Sequence, residues 1–174
     1  MKKIIQEAKL LQEEATRLRR DFHKHPERGF CEFRTASKII EYLKGLGLEV
    51  KYGAEVISKD NILGAPNLEM LSAEQERALN EGVSEELVDA MSGGATAVVA
   101  TINGTGTGSP QTLAFRFDMD CNELTESDSE EHRPFREGFS SIHPGCTHAC
   151  GHDGHVTIGL ILARLLADNR DRFS

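Results

Sequence analysis

The residues best suited to chemistry are concentrated in one stretch, His148-Ala149-Cys150-Gly151-His152-Asp153-Gly154-His155. Three imidazoles, a thiol and a carboxylate fall within eight residues, and an apolar helical pattern follows directly. Cys thiolate and His imidazole are ligands typical of zinc and neighbouring transition metals. This density is hard to explain by packing alone and predicts a metal site.

The spacing within the stretch selects the candidate ligands. Residues two apart share a face of an extended segment but point apart on a helix, so His148, Cys150 and His152 indicate a loop or strand end. Cys150 and His152 are the predicted metal ligands. His148, Asp153 and His155 are expected around them, supporting the ligands or contacting substrate.

Two aspartates are the candidate catalytic partners of this site. Asp118 and Asp120 follow a predicted strand over residues 111–118, and loops at strand ends are where α/β proteins gather catalytic groups. They could bind a metal directly or orient an imidazole ligand. Taken alone, a simple turn after the strand explains them equally well.

The elements that must position these residues can be read from hydrophobic periodicity. The pattern predicts one long helix over residues 3–23, ended by Pro26, then a helix following Thr35 and a strand over 48–52. Strands are expected at 95–102 and 111–118, joined by a glycine-rich connection over 103–110, and a helix after Asp153. The predicted fold class is α/β, a mixed sheet with flanking helices.

Residues 53–92 differ in character from the rest of the chain. They are polar and acidic, and we expect them to form a surface insertion. Ser72-Ala73-Glu74-Gln75 is a capping box predicting the start of one short helix, and Ser84 is a candidate cap of another.

The remaining histidines have simpler interpretations. His23 and His25 lie at a helix end beside Pro26, where a capping role is favoured. His132 and His143 lie in the polar segment 122–146, which predicts a solvated acidic loop.

Composition limits the class of protein. The 174 residues carry a formal charge of −8 and contain no dense Lys/Arg cluster, which argues against a nucleic-acid partner. No apolar run approaches the roughly 18 residues of a membrane span, and no signal peptide is evident. A cytoplasmic location is expected, with the four cysteines as free thiols or a metal ligand.

Four motifs resemble, in order, the N-terminal half of the dinuclear metal amidohydrolases and peptidases. That family includes aminoacylase-like, hippurate and indole-acetyl-amino-acid hydrolases and relatives of carboxypeptidase G. The motifs are Arg19-Arg20-Asp21-Phe22-His23-Lys24-His25-Pro26-Glu27, Glu32-Phe33-Arg34-Thr35-Ala36, Phe115-Arg116-Phe117-Asp118-Met119-Asp120 and the stretch 148–155.

The resemblance implies a zinc-exopeptidase-like catalytic domain and hydrolysis of an amide between an aroyl or acyl group and an amino acid. The nearest similarity is to members that cleave p-aminobenzoyl-glutamate into p-aminobenzoate and glutamate, a step of folate breakdown. It implies two divalent metal ions, manganese or zinc, with Cys150 and His152 as ligands and Asp120, with Asp118 nearby, supporting the site. It also implies a homodimer, or a heteromer with a homologous B subunit.

The chain departs from the family pattern in two ways. Cys121 and Asn122 stand where Ala-Leu is usual, and Thr147 replaces a Met. A Glu-Glu pair supplying the general base and a ligand, two further histidine ligands and a dimerisation domain would all lie beyond Ser174. Residues 1–174 are therefore expected to be the N-terminal part of an incomplete catalytic domain that is inactive alone.

Three alternatives remain open from the sequence. The enzyme could instead act on other N-acyl-amino acids or on dipeptides, because substrate choice rests largely on parts outside this chain. The chain could be a non-catalytic metal-binding or interaction module. Least favoured is an α/β domain whose cysteine and histidines are incidental.

Overall fold

The computed structural model of the chain describes residues 2–109 and 111–174. Its helices are α1 (Lys2–Leu10), α2 (Gln12–Lys24), α3 (Phe33–Gly45), α4 (Leu68–Asn80), α5 (Glu85–Ala90), α6 (Arg133–Arg136) and α7 (His152–Asp168). The strands are β1 (Glu49–Tyr52) and β2 (Val98–Thr101). Among the described helices, none combines the length and apolar character needed to cross a bilayer.

The two strands pair antiparallel, with Glu49 opposite Thr101 and Tyr52 opposite Val98. Exposure alternates along both strands, so one face of the pair packs inward. The predicted α/β class is confirmed, in the form of a small antiparallel sheet with helices packed against it.

Two hydrophobic clusters hold these elements together. One joins α3 to α4, α5 and their flanking turns, and the other joins α2, α3 and α7. In the second cluster Phe22, Val156 and Leu160 are almost fully buried. Because α7 packs on α2, the start of α7 lies beside the end of α2, and this fixes the position of the stretch 148–155.

The segment 53–92 is more than a surface excursion. Its Leu71, Ala78, Val83 and Met91 are buried in the first cluster. Whether the segment is an insertion relative to the family stays a prediction.

The helix boundaries within this segment differ from expectation in one place. α4 begins at Leu68, four residues before Ser72, because the Asn67 side chain accepts a 2.9 Å hydrogen bond from the Met70 amide. The predicted cap of α5 is confirmed, since Ser84 Oγ accepts from the Leu87 amide.

The prediction of one continuous helix over 3–23 is wrong in one respect. The helix is interrupted at Leu11, whose amide bonds to the Ala8 carbonyl three residues back. The apolar stripe continues through the interruption, which explains why periodicity alone does not reveal it.

The predicted strand over 111–118 is not formed in the part of the chain that the structure describes. A strand needs a hydrogen-bonded neighbour, and the connection before it is engaged elsewhere: Thr105 N donates to Arg170 O, and Gly106 N to Phe173 O, both at 2.7 Å. Leu113 and Phe115 are 76% and 59% exposed. Pro110, the last residue of the predicted connection, lies outside the described residues.

Candidate metal centre

The two candidate ligands lie where the chain enters α7. Gly151 between them adopts φ +85°, a left-handed conformation that glycine takes without a steric penalty. The chain turns at this glycine, and His152 is the first residue of the helix. Cys150 is exposed and His152 is partly exposed, so an ion in solution can reach both.

Asp120 brings the two side chains together. Its carbonyl oxygen lies 3.7 Å from Cys150 Sγ, and both this oxygen and Oδ1 lie 3.0 Å from His152 Nδ1. Both Asp120 oxygens are acceptors, so Nδ1 carries the proton and Nε2 keeps a lone pair for a metal. A metal-bound histidine typically donates its other N–H to a carboxylate in this way. The arrangement suits the predicted roles of all three residues.

Asp118 and His155 form a second, adjacent contact. The Asp118 amide donates to His155 Nδ1 over 3.0 Å, which places the ring proton on Nε2. The His155 ring lies 6.1 Å from the His152 ring, centroid to centroid, and Phe117 packs against it edge-on. His155 therefore offers an N–H donor beside the candidate ligands, in keeping with the supporting role expected of it.

His148 is the least satisfied side chain of the site. It is only 4% exposed, and neither ring nitrogen has a hydrogen-bond partner among the described residues. Burial, together with the neighbouring imidazoles of His23 and His152, lowers its pKa to about 4. The ring is therefore neutral at pH 7, with one donor and one acceptor unused.

Asp153 lies behind the candidate ligands with no exposed surface. It accepts hydrogen bonds from His23 Nδ1 at 2.8 Å, from Arg19 Nε at 3.1 Å and from the Gly154 amide at 2.8 Å. Burial opposes its ionisation, but these donors outweigh burial and lower its pKa. Asp153 thus ties the first turn of α7 to the end of α2.

His23 and Glu126 were assigned wrongly from the sequence. His23 does not cap its helix but bridges two carboxylates, with Nε2 2.9 Å from Glu126 Oε1. Glu126 is nearly buried and also binds His132 and the Ser141 amide, so the segment 122–146 is not uniformly solvated. The sequence contains one signal for this role: His23 belongs to the same motif, 19–27, as Arg19, which also binds Asp153.

The prediction for His25 is confirmed, whereas the prediction for His143 is wrong. His25 Nδ1 hydrogen-bonds the Asp21 carbonyl in the last turn of α2, which confirms its capping role. His143 is not solvated, because its nitrogens hydrogen-bond the Pro26 carbonyl and the Glu81 carboxylate.

The donor set is chemically suited to a transition metal but small. Thiolate and imidazole fit zinc and its neighbours. Within residues 2–109 and 111–174, however, no three His, Cys, Asp or Glu side chains converge closely enough to hold an ion. Cys150 and His152 would therefore need ligands from elsewhere to reach the usual three or four.

Comparison with known proteins identifies the class. Residues 114–174 match the model of peptidase family M20/M25/M40. The fold also resembles that of a dinuclear metal-binding peptidase of the M20 family from Bacillus subtilis, with a TM-score of 0.58 and 26% identity over 93% of this chain. The predicted resemblance to the dinuclear metal amidohydrolases and peptidases is confirmed.

Particular relatives are more similar still. Indole-3-acetyl-aspartic acid hydrolase of Enterobacter agglomerans is 46% identical over 91% of this chain, and the A subunit of p-aminobenzoyl-glutamate hydrolase from Escherichia coli is 45% identical over 85%. The aminobenzoyl-glutamate utilization protein of Klebsiella pneumoniae gives a TM-score of 0.70 at 36% identity over 95%. The chain spans 36%, 34% and 34% of these three proteins, about a third of their length.

Proposed function

We propose that the protein containing this chain is a metal-dependent amidohydrolase that cleaves the amide between an aromatic acyl group and an amino acid. The observation that carries the proposal is the Cys150 and His152 pair, positioned by Asp120 within the segment that matches the peptidase family. The preferred substrate is p-aminobenzoyl-glutamate. Its support is the similarity to relatives whose names join an aromatic acid to an acidic amino acid.

Each residue has a proposed task that follows from its contacts. Cys150, as thiolate, and His152, through Nε2, would hold a divalent ion, manganese or zinc, in a two-metal centre. Such ions polarise the amide carbonyl and lower the pKa of bound water. Asp120 keeps His152 in the tautomer that can ligate, and His155 presents an N–H donor beside it.

The 174 residues by themselves are proposed to be inactive. Two protein ligands bind a metal weakly, and no third ligand lies close enough to them among the described residues. A hydrolytic water also needs a proton acceptor. The general base and remaining ligands would come from the rest of the protein.

The test is release of p-aminobenzoate by the full-length protein with added manganese or zinc, together with bound-metal analysis. Cys150→Ser and His152→Ala should abolish turnover and lower metal content, whereas Lys51→Ala, at an exposed position of β1, should change neither. Unchanged metal content in both site variants would contradict the proposal. Turnover by residues 1–174 alone would refute the inactivity claim.

Hydrolysis of other N-acyl-amino acids or of dipeptides is the alternative activity. Comparing aminobenzoyl-glutamate, hippurate, acetyl-amino acids and dipeptides with one preparation decides between them. A preference for a non-aromatic acyl group would favour the alternative.

Assembly and location are further proposals. A heteromer with a homologous B subunit is supported by relatives whose names describe them as the A subunit of a hydrolase or its homologue, and a homodimer is the other expected form. Light scattering of the full-length protein, with and without a co-expressed homologue, distinguishes them. A cytoplasmic location and a place in folate breakdown stay predictions.

A further inference from the structure

A cleft of about 470 Å³ opens beside the candidate metal centre. Its apolar lining is Phe30, Pro66 and Met70, and its charged lining includes Arg28, Asp120 and Glu123. The volume lies within the range of small-molecule sites, which are typically apolar clefts with a few polar groups. We call it the Phe30 cleft.

The Phe30 cleft is continuous with the site through one residue. Asp120 lines the cleft and also contacts Cys150 Sγ and His152 Nδ1. A molecule bound in the cleft would therefore be separated from the proposed metal ligands by a single residue, Asp120.

Phe30 is held in an unusual conformation. At φ +63° it is the one non-glycine residue with positive φ in the described chain, a conformation that costs an ordinary residue roughly 1–2 kcal/mol. Such strain persists only where the surroundings impose it, and it clusters at functional sites. The backbone that carries the Phe30 ring is therefore held in place by the fold around it.

The surroundings that impose this conformation are visible. A Cβ on Gly94 would lie 3.0 Å from both Cβ and O of Phe30, so Gly94 allows a close backbone approach. The Cys31 amide donates to the Arg28 carbonyl at 2.9 Å, closing the turn that contains Phe30. The Cys121 amide donates to the Glu27 carbonyl at 2.8 Å, tying this turn to the segment that carries Asp120.

The charge of the cleft lining indicates which half of an acyl-amino-acid substrate the cleft accommodates. Arg28 is already paired with Glu74 at 3.0 Å and Glu123 at 3.5 Å. Asp120 and Glu123 leave the lining with more carboxylates than cations. A dicarboxylate such as glutamate would be repelled, whereas an uncharged aromatic ring can pack on Phe30 and Met70.

We infer that the Phe30 cleft binds the aromatic acyl half of the substrate and that Phe30 selects aromatic over small acyl groups. The inference rests on the proposed amidohydrolase function and adds a specificity residue to it. The amino-acid half would lie outside the cleft, beyond the candidate metal ligands.

Phe30→Gly in the full-length, manganese-loaded protein is the decisive variant. Glycine accepts φ +63° without strain, so the ring is removed without forcing the backbone of the turn to change. We expect kcat/KM for p-aminobenzoyl-glutamate to fall about tenfold, the order of effect of an apolar pocket contact. The value for N-acetyl-glutamate should stay within about twofold.

Two further variants complete the test. Met70→Ala, on another wall of the cleft, should shift the same ratio in the same direction. Leu68→Ala, on the same helix but 81% exposed and outside the lining, should leave it unchanged. An equal loss for both substrates in Phe30→Gly, or no loss for either, would overturn the inference.

Ligand-observed NMR with p-aminobenzoate and acetate separates this inference from the proposed function. If the wild type hydrolyses neither amide, the proposed function fails. The binding of p-aminobenzoate then tests separately whether the cleft accepts an aromatic group. Weaker binding in Phe30→Gly than in Leu68→Ala supports the inference, and equal binding overturns it.

Discussion

His23→Gln tests whether one imidazole stabilises the two buried carboxylates behind the candidate metal centre. His23 Nδ1 lies 2.8 Å from Asp153 Oδ2, and Nε2 lies 2.9 Å from Glu126 Oε1. The three side chains are 7%, 0% and 8% exposed, respectively. Glutamine cannot carry the positive charge, so both ion pairs are lost.

The free-energy cost of His23→Gln depends on the hydrogen-bond donors that each carboxylate retains in the variant. Removing one partner of a buried ion pair costs about 3–5 kcal/mol. Asp153 retains Arg19 and the Gly154 amide, and Glu126 retains the Ser141 amide. The expected loss in free energy of unfolding is therefore at the lower end, about 3 kcal/mol.

The loss should depend on pH with a definite sign. Burial disfavours the charged ring, but hydrogen bonds to Asp153 and Glu126 outweigh it and raise the pKa of His23 above 6.5. A group whose pKa is raised by folding stabilises fully below its unfolded pKa and loses that stabilisation as pH rises through the folded value. The pKa of Asp153 and that of Glu126 are lowered, so both stay ionised at pH 6.

Urea denaturation of the full-length protein at pH 6 and pH 9 measures this effect. The cost of His23→Gln should be larger at pH 6 than at pH 9. His132→Gln is the matched control, because His132 binds the same Glu126 oxygen from a 35% exposed position and should cost at most about 1 kcal/mol. Equal costs for the two variants, or a cost that grows with pH, would refute the reasoning.

Three other variants test separate parts of the structure. Asp120→Ala removes the carboxylate acceptor of His152 but leaves the backbone acceptor, so calorimetry should show about tenfold weaker zinc or manganese binding; unchanged affinity contradicts this. Gly53→Ala would place Cβ 2.2 Å from a carbonyl oxygen, whereas Gly64→Ala, also at positive φ, meets nothing within 4 Å. The first should therefore lower stability by about 1–3 kcal/mol more than the second, and equal melting temperatures contradict this. Burial raises the pKa of Glu32 from 4.5 to about 7, so the contribution of Glu32 to stability should fall by about 1.4 kcal/mol per pH unit as pH rises across that window. The difference in unfolding free energy between wild type and Glu32→Gln should show this slope, and a difference that does not change with pH contradicts the prediction.

Local patterns predicted most of the elements correctly. The second helix, the strand at 48–52, part of the strand at 95–102 and the helix after the histidines all formed close to where periodicity indicated. Each depends on residues near in sequence, since an amphipathic stripe or an alternating run is a local property. The strand at 111–118 was wrong because a strand also needs a partner, which no local pattern supplies.

The sequence by itself determined the chemistry of the candidate centre, because thiolate and imidazole at Cys150 and His152 are ligand types whatever the fold. Only the tertiary structure decided how they are supported. It placed Asp120 against both Cys150 and His152, buried Asp153 against His23, left His148 without a hydrogen-bond partner among the described residues and joined Phe30 to the site through Asp120. These contacts join residues that lie far apart in sequence, and their geometry comes from packing α7 on α2, which spacing along the chain does not contain.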